Sequence, residues 1–139
     1  LGPIYQAGTL SGNPLSMASG LAMLSALESD KSFYENLGKR SQYLVNGIVS
    51  EAKAQNIPMT SNSVGGMFGL FFSSEKKVSN FSQASSCNIE LFKKFYNAML
   101  KQGIYLAPSA YEAGFLSNAH TDDDLDKTIN AAATAFSLI

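Results

Sequence analysis

The stretch "IPMTSNSVGGMFGLFFS", Ile57 to Ser73, decides the fold class. It reads as a strand, a turn at Gly65 and Gly66, and a second strand from Met67 to Phe72. Two glycines between such runs mark a tight hairpin, because glycine reaches the positive φ angles that short turns require. Aromatic and aliphatic side chains from Met67 onward suit a half-buried pleated surface. An antiparallel hairpin set among helices implies an α+β layer arrangement.

The flanking sequence supplies the helices. Asn13 followed by Pro14 makes a helix start: the Asn side chain accepts from an orphan N–H, and Pro at the first helical position gives up a donor that had no partner. This first helix is expected to run to about Leu27. Met17, Ala18, Leu21 and Leu24 can share one face, and Ser16, Ser19 and Ser25 are its main polar relief, so burial on most sides is expected. A second helix is expected from about Ser32 to Ala54, with Phe33, Leu37, Leu44, Val45, Ile48 and Val49 inward and Lys39, Arg40, Glu51 and Lys53 outward. "SEKKVSN" reads as a surface loop. A third helix from about Asn88 to Gln102 turns Ile89, Phe92, Phe95, Tyr96 and Met99 inward and stops at Gly103. "IYLA" and "FLSN" are expected to be short strands joined by "PSAYEAG". The last helix starts at Thr121, where Asp122, Asp123 and Asp124 place negative charge at the positive end of the helix dipole. The whole is a small antiparallel sheet with helices packed on one face.

Composition narrows the function classes. The 139 residues are 45% hydrophobic and 15% charged, enough apolar surface for one packed core. Ten basic and eleven acidic residues give a net charge of −1, and no basic stripe interleaved with aromatics points to nucleic acid. Cys87 and His120 are each the single residue of their type, which argues against a disulfide framework and a metal centre. Cys87 reads as a small residue near a helix entrance, and a reducing, cytoplasmic compartment is expected. No apolar run reaches the roughly 20 residues that span a bilayer. The N-terminal "LGPIYQAG" lacks the basic-then-apolar order of a signal peptide. The sequence opens on Leu1 without Met, and we expect it to be a piece of a longer protein.

Chemistry is suggested by "GTLSGNP", Gly8 to Pro14. Gly8, Thr9, Ser11 and Gly12 ahead of a helix start offer backbone N–H groups, a hydroxyl and a nearby helix dipole, a set that suits a phosphate. The loop is neither a Walker A sequence, since no Lys-Ser or Lys-Thr pair follows the glycines, nor a dinucleotide fingerprint. Spacing alone leaves two readings open: an anion site, or a helix entrance that binds nothing.

Three motifs in order, "YQAGTLSGNPLSMASG", "VGGMFGLFF" and "GIYLAPSAYEAGFLSNAHT", resemble the C-terminal part of the glutamate-1-semialdehyde 2,1-aminomutase family. That family sits in the class III aminotransferase-like group with the fold type I pyridoxal-phosphate architecture. The glycine-threonine loop is shared by the wider group, and its combination with "APSAYEAGF" is the more specific sign.

The resemblance implies a homodimer with active sites at the subunit interface, using pyridoxal 5'-phosphate and, within its cycle, pyridoxamine 5'-phosphate. It implies glutamate-1-semialdehyde as substrate and 5-aminolevulinate, a tetrapyrrole precursor, as product. Gly8 and Thr9 match the loop that reaches the cofactor phosphate held by the neighbouring subunit. Tyr5 matches a position near the cofactor; without the resemblance it reads as a packed aromatic. Glu112 matches a carboxylate at the edge of the substrate site; without the resemblance it reads as a solvated loop acid. The resemblance divides the chain into residues 1–30, a cofactor-phosphate loop and buried helix joining from a large domain, and residues 31–139, a small α+β domain.

The family's Schiff-base lysine and the Asp that pairs with the pyridine nitrogen lie upstream of the matched stretch, so no catalytic residue is assigned here. Lys39, Lys53, Lys93, Lys94, Lys101 and Lys127 fall on wet helix faces and Lys31, Lys76 and Lys77 in polar turns, whereas a Schiff-base lysine needs a desolvated setting. This chain alone is expected to be inactive. Two other readings are a class III aminotransferase fragment and a non-catalytic α+β dimerisation domain.

Overall fold

The computed structural model describes residues 2–5 and 7–139. The chain divides into two units, Leu1–Phe33 and Tyr34–Ile139, each described by itself.

The first unit holds a loop and helix α1, Pro14–Ser29. Asn13 caps it: the Oδ1 accepts from the N–H groups of Leu15 (3.1 Å) and Ser16 (3.2 Å), with Pro14 at the first helical position. The expected burial of this helix is not met within its own unit. No residue of α1 is buried, and Leu15 remains 76% exposed. Its apolar side chains are spread around the helix rather than gathered in one stripe, so cover is needed on several sides, and these residues do not supply it.

The second unit is α+β. Helix α2, Phe33–Ala54, buries Leu44, Val45, Ile48 and Ala52 along one stripe, while Leu37 and Val49 are half-buried. Strands β1, Thr60–Val64, and β2, Met67–Phe71, pair antiparallel from Thr60 opposite Phe71 to Val64 opposite Met67. Gly65 takes the positive φ of the turn (54°). Helices α3, Phe81–Ser85, and α4, Ile89–Lys101, follow. Strand β3, Gly114–Phe115, pairs antiparallel with β2 and completes the order β1-β2-β3. Helix α5, Asp122–Phe136, ends the fold.

Around one core, α2, α4 and α5 bring Val45, Ile48, Phe95, Met99, Ala132 and Phe136 together with Phe68 and Phe72. Phe95 stacks on Phe136 at 4.7 Å between ring centroids, and Phe72 meets Phe95 edge-on at 5.5 Å. Offset and edge-to-face contacts of this kind suit the ring quadrupoles.

Two expectations are corrected. Ile104–Ala107 is not a strand. Its alternation is present, with Ile104 and Leu106 half-buried and Tyr105 exposed, but no ladder forms on it. The Ile104 N–H instead donates to Met99 O at 3.1 Å, closing the end of α4, and Pro108 has no N–H to continue a strand. The expected "FLSN" strand is confined to Gly114–Phe115. The second correction is α3, where no helix is expected: Asn80 Oδ1 accepts from the Gln83 N–H at 2.9 Å, and Gln83 Oε1 accepts from the Ser79 N–H at 2.8 Å.

At α5 the helix starts at Thr121 as expected and a capping box forms, Thr121 Oγ1 accepting from the Asp124 N–H and Asp124 Oδ2 accepting from the Thr121 N–H at 2.7 Å. The Thr121 N–H first, and second its hydroxyl, which donates to the same Oδ2 at 2.7 Å, lower the Asp124 pKa. A lowered folded-state pKa means stability that is present above the unfolded value, about 3.9, and is lost as pH falls through the folded value. Asp124→Asn is therefore expected to lower the melting temperature at pH 7, with the difference from wild type closing in acid below both values. A gap that stays constant down to that pH would show that the carboxylate charge contributes nothing.

Candidate functional site

The loop ahead of α1 is built from two successive turns. Ser11 N–H donates to Gly8 O at 3.0 Å and Asn13 N–H to Leu10 O at 3.1 Å. A Cβ at Gly8 would lie 2.3 Å from Ser11 Oγ, a contact that the Ser11 hydroxyl relieves by turning aside. Gly12 holds φ +71°, open to glycine at little cost. Thr9 and Leu10 thus occupy the crest of the first turn. Among the described residues no hydrogen bond uses the N–H of either or the Thr9 hydroxyl, and both residues are exposed.

The helix end itself contributes no donor. Pro14 has no N–H, Asn13 Oδ1 takes those of Leu15 and Ser16, and the Met17 N–H goes to Asn13 O at 2.9 Å. An anion at this place would be held by the Thr9 and Leu10 amides and the Thr9 hydroxyl, with the dipole acting only through its field. Residues 1–30 contain neither Lys nor Arg. The segment can orient a phosphate through hydrogen bonds, but its neutralising charge must come from elsewhere.

Tyr5, on the same segment, is 89% exposed. Glu112 belongs to the other unit. It closes a turn in which its N–H donates to Ser109 O at 3.1 Å, and its carboxylate is exposed with no ion pair or hydrogen bond among the described residues. It stands on a groove of about 470 Å³ lined by Asn62, Phe68, Val78, Phe81 and Tyr111. The Phe81 and Tyr111 rings face each other there, 6.1 Å between centroids. This groove escapes sequence reading because α3, which carries Phe81, does. The signal was the Asn80-to-Gln83 spacing of a helix start.

Other reactive side chains have structural work. The Cys87 thiol donates to Gln83 O at 3.3 Å, and burial pushes its pKa up, away from a nucleophilic thiolate. His120 Nδ1 accepts from the Ser117 N–H at 3.0 Å within a turn. Lys39, Lys93 and Lys127 pair with Glu35, Glu90 and Asp123 at the surface. Asp123 raises the Lys127 pKa, the reverse of what an amine nucleophile needs. Among the described residues no group of three His, Cys, Asp or Glu could hold a metal. Among the described residues no helix is long and apolar enough to cross a membrane.

No family model matches the sequence. Solved structures do resemble the fold. A β-phenylalanine aminotransferase from Variovorax paradoxus matches 99% of this chain at TM-score 0.81 and 22% identity, over 31% of its own length. An omega-transaminase from Sphaerobacter thermophilus matches 96% at TM-score 0.77 and 18% identity, over 30% of its length. A transaminase with PLP bound matches 97% at TM-score 0.75 and 21% identity, again over 30% of its length. This chain therefore spans about a third of the structures it resembles, and with that portion of a transaminase it shares its fold.

Proposed function

We propose that this chain is the C-terminal part of a glutamate-1-semialdehyde 2,1-aminomutase, a cytoplasmic homodimeric pyridoxal-phosphate enzyme of the class III aminotransferase-like group. The observation that carries this reading is the Gly8–Asn13 loop, whose unengaged donors belong to a chain with a transaminase-like fold. "APSAYEAGF", Ala107 to Phe115, supports the aminomutase within that group.

The residues present fit a phosphate. In this reading residues 1–30 carry the phosphate loop and α1 from a large domain, and residues 31–139 form the small domain. Thr9 donates its N–H and hydroxyl, and Leu10 its N–H, to the phosphate held by the neighbouring protomer. The Gly8–Ser11 turn sets those donors side by side. Tyr5 borders the cofactor, and Glu112 forms an edge of the substrate site. Cover from the rest of the dimer accounts for an α1 whose apolar side chains are exposed here. When bound, pyridoxal phosphate supplies the electron sink for moving an amine between neighbouring carbons, so that glutamate-1-semialdehyde becomes 5-aminolevulinate. This chain holds and orients, and none of its lysines is placed for covalent catalysis.

Thr9→Ala in the full-length protein tests the loop. A hydrogen bond to a charged group contributes about 1.5–3 kcal/mol, so cofactor affinity is expected to fall about 10- to 150-fold. Retention equal to wild type, followed by cofactor absorbance during dialysis, would reduce the loop to a helix cap and favour a non-catalytic dimerisation domain.

A second reading, a class III aminotransferase, is favoured by the transaminases among the similar structures. Supplying the full-length enzyme with glutamate-1-semialdehyde and no second amino donor or acceptor separates the two. An aminomutase turns over repeatedly to 5-aminolevulinate, whereas a transaminase stalls.

A further inference from the structure

No further inference is drawn: the strongest candidate, the apolar groove beside the β1–β2 hairpin with the Phe81 and Tyr111 rings in its wall, carries nothing because nothing in the structure shows what covers it.

Discussion

Phe95→Ala is expected to lower the unfolding free energy by about 3–5 kcal/mol, the range for truncating a buried aromatic side chain. Phe95 is fully buried. It lies between Phe136, stacked at 4.7 Å, and Phe72, edge-on at 5.5 Å. Truncation removes apolar burial and both ring contacts, and it opens a cavity between α4 and α5 that rigid helices refill only in part. Domains of this size are stable by about 5–15 kcal/mol, so the loss is a large share of the total. Urea unfolding should show a lower midpoint at unchanged slope. Phe115→Ala, at a ring 70% exposed, is the matched control and should cost within about 0.5 kcal/mol. Equal losses at the two positions would contradict the core described here.

Gly66→Ala is the second large effect, about 1–3 kcal/mol, because overpacking forces neighbours to shift. A Cβ at Gly66 would stand 2.8 Å from the Leu116 carbonyl oxygen and 2.9 Å from the Leu37 side chain. The Leu side chain can turn aside, but the carbonyl is backbone. It follows the Leu116 N–H, which donates to Gly66 O at 2.7 Å, so yielding to the new methyl strains the bond that extends the β2–β3 pairing. Gly20→Ala makes the comparison: apart from its chain neighbours and the adjoining backbone of its own helix, nothing lies within 4 Å of its Cβ position, and within a helix Ala is favoured over Gly by roughly 0.5–1 kcal/mol. Opposite signs are expected in thermal melts, and a Gly66→Ala chain as stable as wild type would refute the close approach.

The helices were legible because their signals are local. α2, α4 and α5 carry apolar stripes at helical spacing, and α5 announces its start through Thr121 and Asp124. The hairpin was legible through Gly65 and Gly66. Ile104–Ala107 misled because alternation reports only which side chains face inward, whereas a strand also needs a partner backbone, and Ile104 gives its N–H to the end of α4. Five-residue α3 escaped because it is too short to show a period. In the candidate site, Gly8, Thr9 and Glu112 were picked out by motif. Their surroundings were not: the self-closed start of α1 depends on where the Asn13 side chain turns, and the groove beside Glu112 on where Phe81 is carried.

By itself the amino-acid order determined the α+β class, the main helices and a neutral glycine-threonine loop, since caps, turns and periodicity act over a few residues. Only the tertiary structure decided the length of the third strand, the exposure of α1 and which loop amides stay unpaired. Those outcomes depend on which distant backbone and side-chain groups come within bonding reach, and the folded chain alone sets those distances.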